Sequence, residues 1–354
     1  MNDPCVDLII PVHTDQRPIA RAVASVLQGS TADIRVNVVC HDTTSSSITT
    51  ALGGWTDDRR VRLIEHHDGI SSPAGPINAG YAAATGEFTA LLDSDDEYEP
   101  GAIDAWLAVQ RRDNADVVIQ PLRHADGRSA RTPPIRPGRS RSLDGVRDRL
   151  AYRTRQHGLV RRVAFPRLAM TPSLRTGEDV IQGATLWYSG ARISFAKGAP
   201  AYVIHSDNDD RTSTSTKPAA ESLLFLDAVL APEFASTLTP SQRESFAVKL
   251  LRTHLMDVLG ASVRAGGLVS DLAALSDSAR RILASAPTTA GILSRREARI
   301  VSELLGAADT TVLAAEYAIL YDYRRPANIF PSSARNLLHR EAMPRFLGAI
   351  ALTR

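Results

Sequence analysis

The chain has 354 residues, 44% of them hydrophobic and 23% charged, with a formal net charge of +2. That length predicts about two domains and a sizeable core, and the near-neutral balance excludes the strongly basic signature of a nucleic-acid binder. The two cysteines, Cys5 and Cys40, fall in or beside apolar, strand-like runs; two cysteines make neither a zinc site nor a disulfide framework, and a reducing cytoplasm is the simplest compartment. Met1–Asp7 lacks the basic start and apolar run of a signal peptide. No segment reaches the roughly 18 apolar residues of a membrane-spanning helix, so the expectation is a soluble chain, or one attached to a membrane surface.

Val6–Val12 (VDLIIPV) is short and rich in branched residues, which predicts a buried strand. After Pro18, Ile19, Val23, Val26 and Leu27 share one helical face, and Gly29 is placed to end that helix. Ile34–Cys40 and Val61–Glu65 read as the second and third strands. Pro76–Thr85 is Ala-rich and helical, with Gly86 closing it; Phe88–Leu92 is a fourth strand, Pro100–Arg112 a helix opened by proline, and Asp116–Gln120 a fifth strand. This alternation predicts an α/β fold, a mostly parallel sheet flanked by helices. In such sheets ligands bind beyond the carboxyl ends of the strands.

Arg123–Ser142 holds Arg123, Arg128, Arg131, Arg136, Arg139 and Arg141 among prolines, glycines and serines with no period. It reads as a loop, either simply solvated or able to close over a phosphate. Ala201–Ile204 is strand-like and ends at His205, and Asp207–Pro218 is a polar linker. Beyond it, Ser222–Leu230, Ser241–Gly260, Val269–Ala284, Ser294–Ala307 and Thr311–Tyr321 carry apolar faces at helical spacing. The division expected is an α/β domain over residues 1–215 and an all-α domain over 216–354, the latter serving acceptor binding, oligomerisation or membrane-surface contact. Its tail sets Arg335, His339, Arg340, Arg345 and Arg354 among Leu337, Leu338, Phe346, Leu347 and Ile350, which suits either a basic amphipathic surface or an ordinary packed helix.

Chemistry concentrates in LLDSDDEYEP, directly after the fourth strand. Asp93 and Asp95 are two apart, so a tight turn lets both carboxylates converge, and their mutual repulsion is relieved by a cation. Mg²⁺ or Mn²⁺ suits oxygen donors that leave room for diphosphate oxygens. A calcium EF-hand loop would place glycine and glutamate where Tyr98 and Asp104 stand. A dinucleotide or Walker phosphate loop would need a glycine-rich turn where Pro11-Val12-His13-Thr14 follows the first strand. The bland alternative is an acidic turn capping the next helix, a role that suits Asp96.

Val6–Val12, the helix from Pro18, the strand ending Cys40-His41-Asp42, and INAGYAAATGEFTALLDSDDEYEPGAI together resemble glycosyltransferase family 2 of the GT-A fold. The resemblance spans residues 5–120, and more faintly 160–210. It implies that Pro11, Val12 and His13 lie against a nucleotide, that Asp42 accepts the ring N–H of the base, and that Asn78, Asp93 and Ser94 also contact the donor. It implies a metal held by Asp95 with Asp93 and His205, and a general base at Asp179 with Glu178 as the poorer candidate. His41 departs from the second-strand pattern, which has aspartate there, and Ile77 from an arginine that would serve a phosphate. The implied activity is inverting, metal-dependent transfer of a sugar, with UDP-sugars favoured, to a glycan or lipid-linked glycan in cell-surface polysaccharide or cell-wall glycan synthesis. It would act in the cytoplasm, at the inner face of the membrane where peripheral contact or self-association occurs. The rivals are a non-catalytic glycan- or nucleotide-binding protein that kept the fold, and a nucleotidyltransferase.

Overall fold

Strand β1 (Val6–Val12) is buried along nearly its whole length, as a strand between two parallel neighbours must be. Residues 5–130, 132–155, 158–206, 217–306 and 309–352 are described in this computed structural model. Arg131, Arg211, Arg354 and most of the expected linker lie outside the described residues. The chain divides into two compact units: residues 1–132, 138–144 and 153–212 form the first, and 133–137, 145–152 and 213–354 the second.

In the first unit, α1 (Ile19–Leu27) buries Ile19, Ala22, Val23, Val26 and Leu27, the stripe expected from sequence. Next come β2 (Ile34–His41), α2 (Ser45–Leu52), β3 (Val61–His66), α3 (Ala74–Ala83) and β4 (Phe88–Leu91). The remainder is β5 (Glu97–Tyr98), α4 (Ala102–Asp113), β6 (Val117–Ile119), β7 (Leu122–His124), β8 (Ser129–Ala130), β9 (Leu159–Arg161), α5 (Val180–Tyr188), β10 (Ile193–Phe195) and β11 (Tyr202–Ile204). Seven strands form one sheet in the order β10-β6-β9-β4-β1-β2-β3; β9 runs antiparallel to both its neighbours and every other pair is parallel. The chain steps outward from β1 through β2 and β3, then returns to place β4 on the other side of β1. That reversal makes the carboxyl ends of β1 and β4 a topological switch point, where open α/β sheets bind ligands.

A second sheet, ordered β5-β11-β7-β8, includes part of the segment expected to be an arginine-rich loop. There β7 and β8 pair antiparallel, Arg123 bridges to Glu99 at 3.0 Å, and Arg128 to Asp126 at 2.6 Å. Helix α4 also begins later than expected, at Ala102, because Gly101 turns the chain through φ 79° just before it.

Two contacts lock the centre. The buried Asp7 carboxylate accepts from Arg35, Asn37 and the backbone N–H groups of Thr85 and Gly86 at 2.7–2.8 Å. Burial would raise its pKa, yet these donors hold it below the ordinary carboxylate value. Gly80 lets α3 close on β1: a Cβ there would stand 2.4 Å from Ile9 Cγ2. Cys40 is a buried free thiol, pushed by burial to about 11, and Cys5 a half-buried one.

The second unit is helical: α6 (Ala219–Ser222), α7 (Phe225–Leu230), α8 (Pro232–Ala235), α9 (Pro240–Lys249), α10 (Met256–Ala265), α11 (Leu268–Ser285), α12 (Arg295–Leu305), α13 (Thr310–Ala318), α14 (Pro326–Ile329) and α15 (Met343–Leu352). The helix expected over Ser241–Gly260 is broken by a π-helical turn, Leu250–Leu255, and its continuation runs to Ala265, where Gly266 at φ 69° stops it. Thr239 opens α9 and Ser294 opens α12, each with a reciprocal capping box. In the tail, Phe346 of α15 packs 4.8 Å from the Tyr152 ring, so that helix has a packed face. Among the described residues no helix is long and apolar enough to cross a membrane.

Candidate active site

The two strands of the switch point deliver the expected residues. At the end of β1, Pro11 is half-buried, Val12 is buried and His13 is exposed. At the end of β4, Leu92 N–H donates to Ile9 O, so the turn Asp93–Asp96 starts level with the end of β1. Asp93 is half-buried; Ser94, Asp95 and Asp96 are buried.

The carboxylates of this turn diverge in role. Asp96 accepts from the Tyr202 hydroxyl at 2.7 Å and from the His205 backbone N–H at 2.8 Å, pinning β11 beneath the turn. It does not start a helix, as sequence suggested, because α4 lies six residues further on. Asp95 pairs with Arg17, and its backbone carbonyl accepts from Arg21. Asp93 pairs with Arg155 and takes the Tyr202 hydroxyl as acceptor for its own backbone N–H at 3.2 Å. The His205 ring, expected at the metal, lies 3.0 Å from Glu97 Oε1.

Sequence reading missed Arg17, Arg21 and Arg155. Arg17 and Arg21 stand just before and within the first turn of α1, and both reach Asp95. Arg155 lies in a stretch without any periodic pattern. Each of the carboxylates of Asp93 and Asp95 thus has a guanidinium beside it. Ile77, in the place of the family's arginine, is buried against Ile9, Val39 and Met170 in a small apolar cluster, so that position faces core.

At the end of β2, Asp42 sits at φ 51° and its Oδ1 accepts from Asp68 N at 3.1 Å and Gly69 N at 3.3 Å. It therefore holds the loop after β3. Its side chain stays 37% exposed, which leaves surface for a ligand. His41, the departure from the family pattern, lies 2.9 Å from Asp68 Oδ1, and His66 lies 3.1 Å from Asp68 Oδ2. Burial would raise the Asp68 pKa, but the His41, Ile70 and His66 hydrogen bonds bring it to about 2. Gly75 makes room for this group, since a Cβ there would fall 2.1 Å from Asp68 Oδ2. His41, Asp42 and Asp68 also bring ligand-type atoms within 4.8 Å of one another, the one such trio among the described residues. Here the histidines already satisfy Asp68.

On the acceptor side, Asn78 is occupied structurally: its amide exchanges hydrogen bonds of 3.0 and 2.8 Å with the backbone of Met170. Glu178 is buried and its carbonyl accepts from Thr171 N. Asp179 is half-buried at the N-terminus of α5, yet its side chain makes no capping hydrogen bond. Helix α5 packs on the segment bearing Arg155: Gly183 closes on Thr154, and Trp187 Nε1 donates to Arg153 O at 2.6 Å. Gln182 of the same helix donates to Tyr81 Oη of α3. Thus α3, α5 and the Arg153–Arg155 segment meet beside Asp93.

Residues 7–168 match the Glycosyl transferase family 2 domain. The succinoglycan biosynthesis protein ExoO of Rhizobium meliloti is 31% identical over 235 residues, 58% of this chain and 63% of that protein. The chain thus spans less than two thirds of that relative's length. An Escherichia coli UDP-Glc:α-D-GlcNAc-diphosphoundecaprenol β-1,3-glucosyltransferase is 26% identical over 32% of this chain and 44% of its own length. The crystal structure of Staphylococcus aureus TarS residues 1–349 with UDP-GlcNAc superposes with a TM-score of 0.65 at 15% identity, covering 90% of this chain and 91% of that one. That likeness extends over both units and shows the GT-A fold. With the switch-point architecture and the ordered motifs, these matches assign residues 7–168 to a glycosyltransferase family 2 domain, within a chain that shares the GT-A fold.

Proposed function

We propose that this protein is a metal-dependent, inverting glycosyltransferase that moves a sugar from a UDP-sugar to a hydroxyl of a glycan or lipid-linked glycan in cell-surface glycan synthesis. The observation that carries this is the convergence of the Asp93–Asp95 turn and the ends of β1 and β2 at the switch point of a family 2 domain. The UDP-GlcNAc in the TarS structure and the UDP-glucose in the E. coli enzyme's name support the donor class; the diphosphoundecaprenol in that name supports a lipid-linked acceptor. Such an acceptor would bring the protein to the inner face of the membrane.

Asp93 and Asp95 fit a hard divalent cation, Mn²⁺ or Mg²⁺. Their oxygens are the right donor type, and Asp96 is committed to Tyr202. A bound cation would offset the negative charge gathering on the departing diphosphate. Arg17 pairs with Asp95 and Arg155 with Asp93, which holds both carboxylates in place. Asp42 accepts the ring N–H of the base, and Asp179 takes the proton from the acceptor hydroxyl.

The base assignment has a direct test. Calorimetry should show UDP binding at least about tenfold tighter than CDP, whose base lacks the ring N–H, a difference of about 1.4 kcal/mol. Asp42→Asn keeps an acceptor for the loop but removes the charge, and should collapse that preference. Equal affinities of the unaltered protein for UDP and CDP would remove Asp42 from this role.

A further inference from the structure

The helical unit contains a cavity of about 400 Å³ that none of the switch-point chemistry uses. Its size lies within the roughly 300–1,000 Å³ typical of small-molecule sites. The floor is rigid. Arg252 donates to both oxygens of Glu297 at 2.7 and 3.2 Å, and Glu297 in turn closes the capping box of α12. Arg252 also donates to Tyr152 Oη at 3.3 Å and to the Glu341 carbonyl at 2.8 Å. Arg252 and its neighbour Thr253 reach the cavity from the π-helical turn, a feature that recurs at functional sites.

The walls are aromatic: Tyr152 and Phe346, with Tyr321 and Tyr323, residues that are 50% and 37% exposed. The charged lining residues are one cation, Arg252, and two carboxylates, Asp257 and Glu297. Because Glu297 already neutralises Arg252, the cavity offers no surplus positive charge to a phosphate. It offers ring faces for C–H surfaces, with tyrosine and threonine hydroxyls and the Asp257 carboxylate for polar groups.

We propose that this cavity is a second binding site, for a neutral saccharide unit of the growing glycan, separate from the transfer site. The biological source of that saccharide rests on the function proposed above; the cavity chemistry does not. Pyranose C–H faces would lie on Tyr321 and Tyr323, and sugar hydroxyls would meet Asp257 and Thr253. The site would hold product or acceptor chain by its neutral sugars.

The test uses the full chain, with saturation-transfer NMR against neutral oligosaccharides of gluco, galacto, manno and N-acetylated types and poly(ribitol phosphate) as the anionic comparator. UDP affinity is measured in parallel. At least one neutral oligosaccharide should bind, Tyr321→Ala and Tyr323→Ala should each weaken it about three- to tenfold, and UDP affinity should not change in either variant. Retained oligosaccharide binding without any UDP binding would overturn the transferase reading and support this one. Failure of every neutral oligosaccharide to bind, binding unmoved by both substitutions, or preference for the anionic polymer would each overturn the saccharide assignment.

Discussion

Asp179→Asn is expected to lower glycan transfer by about 10²–10⁴-fold, the usual contribution of a positioned general base, while UDP affinity stays within about twofold, under 0.5 kcal/mol. The substitution is isosteric, and the Asp179 side chain makes no capping bond that asparagine would have to replace. Glu178 next to it is buried and its backbone ties the loop to Thr171, which leaves the less enclosed Asp179 as the carboxylate an acceptor hydroxyl can reach. Gly177, at φ 74°, gives the turn that sets the pair at the start of α5. Single-turnover transfer rates alongside UDP calorimetry check this. Transfer retained in full would remove Asp179 from the base role; loss of UDP binding together with transfer would mark it as a donor-site residue.

The second large effect concerns Asp95. Asp95→Asn should reduce metal-dependent turnover by at least about 100-fold, beyond the roughly 10–100-fold cost of losing a residue that merely supports a ligand. It also leaves the buried Arg17 guanidinium facing a neutral amide. Breaking a buried ion pair from one side costs up to about 3–5 kcal/mol of stability, so thermal unfolding should shift downward. Kinetics are therefore read well below the unfolding midpoint, with Arg17→Gln as the companion variant. That variant breaks the same pair but keeps the carboxylate, and should retain more metal-dependent turnover than Asp95→Asn. Equal losses in the two would assign Asp95 to Arg17 rather than to a cation.

Much of this architecture is legible from pattern alone. β1, β2, β3 and β4 are apolar runs long enough to show their type, and the α1 stripe repeats over two turns. Among the short strands, β6 and β11 show as the apolar runs Asp116–Gln120 and Ala201–Ile204, but β5, β7, β8, β9 and β10 are not legible, since two or three residues carry no period and their pairing is set by distant neighbours. The same limit explains the site. Asp93 and Asp95 announce themselves by clustering, whereas Arg155 reaches Asp93 across 62 positions and Arg17 reaches Asp95 across 78. His41 reads as a departure until the fold brings Asp68 and His66 to it. Asn78 fits the motif, but α3 spends it on the Met170 backbone.

Nucleoside diphosphate release reads out whether the switch-point carboxylates serve nucleotide-sugar chemistry. The protein is incubated with UDP-, GDP- and dTDP-sugars in Mn²⁺ or Mg²⁺, with and without EDTA. Release is expected from at least one donor, UDP-sugars foremost, that EDTA abolishes and added Mn²⁺ or Mg²⁺ restores. Release that persists in EDTA would contradict the metal assignment, and no binding or release with any donor would contradict the transferase reading itself.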